Sequence, residues 1–347
     1  MSAQLVEQVL AGRRRAVARA ISLVENDGPE AQALLAALHP HTGQAHIVGV
    51  TGPPGSGKST LVNALALHFR QGTEEHPPRT VGIIAVDPTS PFSGGAILGD
   101  RIRMRDLAGD RGIFIRSMAS RGNLGGLARA TADAVRVLDA ASYDLIVVET
   151  VGAGQAEVDI ARTAHTTVVV EVPGLGDDIQ AIKAGILEIA DVFAVNKADQ
   201  EGADHAVMAL RMMLDLDAGA ARTAMHHGRL IEVLTAFPQT PAGGGGEPTW
   251  QPPIHKTIAT RREGIAELAA SILAHRTFLE RGGGLARRER ERAAAELEAI
   301  IQQEALHRLL TNTDGASLAA LIEQIVQRQV APYDAAQRLL DAADMLS

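Results

Sequence analysis

The chain has 347 residues, with 33 Lys and Arg against 41 Asp and Glu, no cysteine and 3% aromatic residues. Its net charge of −8 argues against broad electrostatic binding of nucleic acid, and one Trp, two Tyr and six Phe argue against stacking on single strands. Without cysteine, disulfides, thiolate metal sites and cysteine nucleophiles are excluded, and the 46% hydrophobic content has to build an aliphatic core.

Residues 3–25 carry apolar positions at helical spacing and predict one amphipathic helix, with Arg13, Arg14, Arg15 and Arg19 among them. This stretch lacks the apolar run of a secretory signal, and no run of about 18 apolar residues occurs, so a soluble, cytoplasmic chain without a membrane span is expected. Asp27-Gly28-Pro29 ends the helix, and 30–38 predicts a short second one. From His46 the pattern changes to short aliphatic runs: IVGVT, VGIIAV, GIFI, DLIVVET, TTVVVEV and DVFAVN. Their unbroken apolar character suits strands covered on both faces. Helical stretches at 58–70, 123–140, 178–189 and 203–216 alternate with them, which predicts an α/β, doubly wound, mostly parallel sheet. The glycine-rich stretch 235–253 reads as a surface insertion. A last strand near Ile254 to Ala259 and a helix from Gly264 to about Leu279 close the domain. Beyond Gly282-Gly283-Gly284 a long helix and two shorter ones, near 316–329 and 333–346, carry a stripe of Leu297, Ile300, Ile301, Leu306, Leu309 and Leu310 that needs something to pack against. The expected layout is therefore 1–44 helical, 45–281 the main domain and 282–347 a C-terminal helical extension.

Directly after IVGVT stands Gly52-Pro53-Pro54-Gly55-Ser56-Gly57-Lys58-Ser59-Thr60, the GxxxxGKS pattern in strand–loop–helix context. Its glycines allow backbone N–H groups to face phosphates, Lys58 suits the β- and γ-phosphates, and the Ser59 hydroxyl suits Mg²⁺. Asn196-Lys197-Ala198-Asp199, after DVFAV, suggests guanine selection: the Asp199 carboxylate can accept from guanine N1–H and its exocyclic amine, where adenine offers no N1 donor. Ile258, Ala259 and Thr260 are the candidates for a second base-contacting loop. Glu149, ending DLIVVE, begins an ExxG pattern with Gly152; the acid would orient Mg²⁺ and the Gly152 N–H would sense the γ-phosphate. Asp87 ends VGIIAV, and the loop after it reaches Asp100; both carboxylates could approach the metal. Gln155, and Arg101, Arg103 and Arg105, are weaker candidates for orienting water and stabilising charge. His226-His227 has no spaced acid and reads as loop.

With these motifs placed, the chain resembles the MeaB/ArgK family of G-proteins, which includes the methylmalonic aciduria type A protein. The resemblance rests on VTGPPGSGKSTL, VDPTSPFSGGAILGDRIRM, ETVGAGQAEVDI, VPGLGDDIQAIKAGILEIAD, NKAD and PPIHKTIATRREGI and covers most of the chain. It implies a P-loop NTPase of the SIMIBI type that hydrolyses GTP to GDP with Mg²⁺. The implied partner is an adenosylcobalamin-dependent acyl-CoA mutase, for which such a G-protein acts as chaperone, gating cofactor loading and protecting or reactivating the enzyme. It further implies a homodimer joined by the C-terminal helices, Lys58, Asp87, Asp100 and Glu149 as metal-site and catalytic residues, and 173–185 as a third switch. The chain has no DxHxxG corrinoid motif, so the cobalamin is expected on the partner and not bound directly. Neither nucleic acid nor membrane is expected as a partner. Two other readings are a kinase of the transport-system type and a nickel or cobalt metallochaperone GTPase.

Overall fold

The computed structural model describes residues 3–26, 28–74, 76–87, 105–107, 109–119, 126–150, 160, 163–174, 189–219, 249–312 and 315–344. The chain opens with three helices, α1 (Ala3–Leu10), α2 (Arg14–Glu25) and α3 (Pro29–Leu38). The single helix expected over 3–25 is thus two. Gly12 stands at φ +66°, its N–H donates to Val9 O at 2.8 Å and the Arg13 N–H to Gln8 O at 3.0 Å. That pair of bonds is the Schellman ending, in which a left-handed glycine satisfies the last helical carbonyls. Unbroken apolar periodicity hid the break.

Next come β1 (His46–Thr51), α4 (Lys58–Gln71), β2 (Val81–Asp87), β3 (Ile113–Ala119), α5 (Gly126–Ala140), β4 (Leu145–Thr150), β5 (Thr166–Glu171), β6 (Val192–Asn196) and α6 (Ala203–Gly219). The strand β7 (Ile254–Thr257) and the helices α7 (Ile265–Arg281), α8 (Gly284–Asn312), α9 (Gly315–Val326) and α10 (Pro332–Asp344) follow among the described residues. The seven strands form one sheet in the order β3-β2-β4-β1-β5-β6-β7, and each neighbouring pair is parallel. The expected doubly wound sheet is therefore present. The last strand is shorter than expected: it stops at Thr257, and Ile258 instead bridges back to Glu263. The expected helix over 178–189 falls, up to 188, outside the described residues, as does 235–248 of the glycine-rich insertion.

Every residue of β1, β4, β5 and β6 is buried, because helices cover both faces. Ile47, Ile84, Phe114, Ile146 and Val148 face α1–α3 and α5. Val48, Val50, Ile83, Val147 and Val170 face α4 and α7, and Phe193 and Val195 pack with Val207 and Leu210 of α6. The period of two along each strand divides one apolar run between two layers. Polar ties fix the N-terminal helices: Arg14 Nη1 donates to Ile113 O at 2.6 Å, Arg116 pairs with Glu25, and the Asp139 carboxylate accepts from the backbone N–H groups of Gly43, Gln44 and Ala45.

The molecule divides into two compact units that part within α8, between Glu289 and Arg290. In the second unit, Leu297, Ile300, Ile301, Leu306, Leu310, Ile322, Val326, Tyr333 and Leu340 are exposed, and Ala335 is the buried hydrophobic residue among those described.

Candidate nucleotide-binding site

In a parallel sheet all strands end on one edge, and ligands gather where the winding reverses. Here that place is the end of β1, with β4 on one side and β5 on the other. The loop Gly52–Gly57 follows β1, and Gly57, at φ +88°, caps α4. Gly52 has φ +140°, and a Cβ there would lie 2.1 Å from Val170 O; one at Gly57 would lie 2.5 Å from Asn196 Nδ2. Backbone and packing both demand glycine at these two positions. At Gly55, φ +76°, a Cβ would meet nothing within 4 Å, so the crest of the loop is open.

Lys58 is buried on the first turn of α4, and its Nζ donates to Gly52 O at 2.7 Å and Pro53 O at 2.9 Å. The ammonium is thus stretched over its own loop. Ser56 is fully buried, and its Oγ has no hydrogen-bond partner among the described residues. A glycine-rich cradle, a cation over it and a helix N-terminus below fit a polyphosphate.

Glu149 is the last residue but one of β4, which pairs with β1 so that Val50 stands beside Glu149. Both Glu149 and Ser59 are buried, and the Ser59 Oγ donates to Glu149 Oε1 at 2.5 Å. A hydroxyl and a carboxylate side by side at the helix start form the hard-oxygen donor set that suits Mg²⁺. Next to them the Thr150 hydroxyl donates to Thr51 Oγ1 at 3.2 Å.

Asn196 ends β6 and joins three segments. Its Nδ2 donates to Ser56 O at 2.9 Å, and its Oδ1 accepts from Thr257 Oγ1 and Ala259 N, both at 3.2 Å. The side chain has both amide groups engaged and buried, which locks the phosphate loop to the turn after β7. Lys197, left-handed at φ +55°, donates from Nζ to Gly55 O at 2.8 Å. Asp199 and Thr260 are exposed, Ile258 is half-buried and Ala259 is buried. The turn Ile258–Glu263 is closed by Arg261 N to Ile258 O and Arg262 N to Ala259 O bonds. The structure therefore brings Gly52–Ser59, Glu149, Asn196, Lys197 and Ala259 to one sheet edge. Thr257, whose hydroxyl shares the Asn196 amide oxygen, was not singled out from the sequence; a hydroxyl closing the last strand was the available signal.

Asp100, Gly152, Gln155, Arg101, Arg103, His226 and His227 lie outside the described residues, as does 175–185 of the segment 173–185. Asp87 and Arg105 are described as backbone, at the end of β2 and in a short 3₁₀ turn.

Residues 17–314 match the family described as methylmalonyl Co-A mutase-associated GTPase MeaB. A protein of Pyrococcus abyssi named as a GTPase is 46% identical over 97% of this chain and 95% of its own length. The GTPase ArgK of Escherichia coli is 34% identical over 90% of this chain and 87% of its own. The mouse methylmalonic aciduria type A homolog, mitochondrial, is 29% identical over 98% and 79%. Among solved structures, one described as LAO/AO transport system kinase superposes with a TM-score of 0.69 at 26% identity, covering 99% of this chain and 97% of that one. No described helix is long and apolar enough to cross a membrane. With the glycine cradle, the Ser59–Glu149 pair and the Asn196 junction in place, the chain belongs to the MeaB family of methylmalonyl-CoA mutase-associated GTPases.

Proposed function

We infer that this GTPase is a guanine-nucleotide switch serving an adenosylcobalamin-dependent acyl-CoA mutase as a chaperone, gating its cofactor loading and protecting or reactivating it. The observation that carries the switch reading is the Asn196 junction, which makes the base-reading and phosphate loops one bonded unit. In this reading Asp199 accepts from guanine, Lys197 lies along the base, and Ile258 to Thr260 form the second base loop. Lys58 leaves the carbonyls of Gly52 and Pro53 for the β- and γ-phosphates and stabilises charge on the transferring phosphoryl group. Ser59 and Glu149 would hold Mg²⁺, with Asp87 and Asp100 as further carboxylates and the Gly152 N–H at the γ-phosphate. The metal would supply positive charge to the phosphoryl oxygens. The mutase partnership is supported by the family description. The exposed apolar side chains of α8, α9 and α10 support a homodimer through these helices.

Calorimetry tests the nucleotide reading. GDP should bind at least about a hundredfold more tightly than ADP, since a site built to hydrogen-bond a base's donors rejects, by such factors, a base that lacks them. Asp199→Ala should erase most of that ratio, and equal affinities in the unaltered protein would refute it. Lys58→Ala should slow hydrolysis by roughly 10²–10³-fold. For the partner, the cognate mutase should change the hydrolysis rate, and Asp178→Ala, in the segment 173–185, should weaken that change while leaving GTP binding nearly intact.

A further inference from the structure

On the edge of the sheet where the strands begin, opposite the phosphate loop, His46, His165 and His275 are 3%, 3% and 1% exposed. They belong to the start of β1, the residue before β5 and the middle of α7. Asp191, just before β6, and Arg288 and Glu289, on the second turn of α8, complete the cluster.

The bonds fix the tautomer of each ring. The Ile47 N–H donates to His165 Nδ1 at 3.2 Å, and Arg276 Nη1 lies 2.9 Å from the same nitrogen. That nitrogen is therefore bare, and His165 Nε2–H donates to Glu289 Oε1 at 2.5 Å. The Asp191 carboxylate accepts from Thr167 N and from Arg288 Nη1 and Nη2 at 2.8, 2.9 and 2.7 Å, and His275 Nε2 lies 3.3 Å from its Oδ1. The hydrogen of His275 is on that side. Its Nδ1 then accepts from Thr166 Oγ1 at 2.9 Å, and Thr166 Oγ1 accepts from His46 Nε2–H at 2.8 Å. His46 Nδ1 is left bare and buried, without a hydrogen-bond partner among the described residues.

All three rings are neutral in this network, and a second proton on any of them breaks it. On His165 it would meet the Ile47 N–H and the Arg276 guanidinium. On His275 it would turn the Thr166 hydroxyl away, and on His46 it would be buried without an acceptor. The surrounding charges are of both signs: Arg79 and Arg276 act on His46, Arg276, itself paired with Glu280, and Glu289 flank His165, and Asp191 and Arg288 flank His275. Burial first, then the neighbouring His165 and Arg276, holds His46 well below the ordinary histidine range. Burial brings His275 down to about 4, against the opposing pull of Asp191.

On the α8 side, Arg288 grips Asp191 with both terminal nitrogens and donates to His165 O at 2.5 Å. An imidazolium formed inside would compete with it for Asp191 and repel it. Arg288 is 32% exposed, so it has a way out to water that the buried rings lack. We propose that this cluster is an acid-operated latch on the root of α8, closed while the three histidines are neutral and opened by protonation, which frees Arg288 and Glu289 from the starts of β5 and β6.

The chain's single tryptophan reports on it. Trp250 Nε1 donates to Asp191 O at 2.8 Å, and its ring centroid is 4.8 Å from that of His275. The full-length protein is taken from pH 8 to pH 4.5 while Trp250 emission and amide exchange, corrected for intrinsic rates, are followed. Exchange in 284–291 should rise roughly tenfold or more, as expected for a local opening, with β1 and β5 still protected and the emission changing over the same interval. Arg288→Met should show the opened exchange of 284–291 already at pH 8, and His275→Asn should shift the emission transition. Protection of 284–291 that persists to pH 4.5, or that is lost only together with β1 and β5, would overturn the latch. So would an Arg288→Met protein whose α8 root stays protected at pH 8.

Discussion

Phe193, in the sheet unit, is 0% exposed, and Val326, in the C-terminal helical unit, is 68% exposed. The contrast runs through both units. Up to Glu289, aliphatic strands are covered on each face, and their polar ends are bonded to one another. From Arg290 on, helices hold their shape with local pairs such as Glu304–Arg308 and leave most of their large apolar side chains in water. The first unit obtains its stability from burial within one chain. The second has helical periodicity but, among its described residues, buries little of its apolar surface, the pattern that motivates the homodimer proposed above.

Four outcomes would break or sharpen this contrast. The largest effect is expected from Phe193→Ala, which empties a fully enclosed site between β6 and α6 and should cost about 3–5 kcal/mol in chemical denaturation. A loss below 1 kcal/mol would mean that the sheet unit is less tightly packed than described. Acid comes next. His275, with a folded pKa of about 4, lies below its unfolded value, so the unfolded chain binds more protons between the two. Stability is then complete above about pH 6.5 and falls toward pH 4 by on the order of 3 kcal/mol. His275→Asn should flatten that slope in melting curves taken across the interval. Third, in the homodimer proposed above, Ile301→Asp with Leu306→Asp should weaken association by about 2 kcal/mol or more, read by sedimentation, while GTP hydrolysis changes little. A variant that remains fully dimeric would place the covering surface elsewhere. The smallest effect belongs to Glu304→Ala, which removes one exposed i,i+4 pair and should cost no more than about 0.5 kcal/mol.

Much of the first unit was legible in the sequence because its signals are local. Continuous apolar runs announced buried parallel strands, and GxxxxGKS and NKxD stand at strand ends where the fold places Lys58 and Asn196. The break at Gly12 was less visible, since the apolar period continues on either side of it and only a left-handed glycine marks the end. Least visible was the histidine cluster. His46, Thr166 and His275 are more than a hundred residues from one another, and each sits in an ordinary apolar stretch. No spacing rule joins them; the winding of the sheet does. The same holds for Thr257, whose hydroxyl matters because β7 ends beside β6.

The central position of β1 has a consequence for the order in which the chain is made. Residues His46 to Val50 pair with Leu145 to Glu149 and then with the strand that starts at Thr166, so the innermost strand is the first of the sheet to be synthesised and waits longest for both neighbours. At ordinary elongation rates, about 5–20 residues per second, the hundred or so intervening residues take roughly 5–20 s to emerge. Throughout that interval an apolar strand with two open edges has no sheet to join. The three helices before it leave the ribosome earlier, and their apolar faces are the shelter available to it, so their removal should be felt first as aggregation of nascent chains rather than as lost stability of the finished protein.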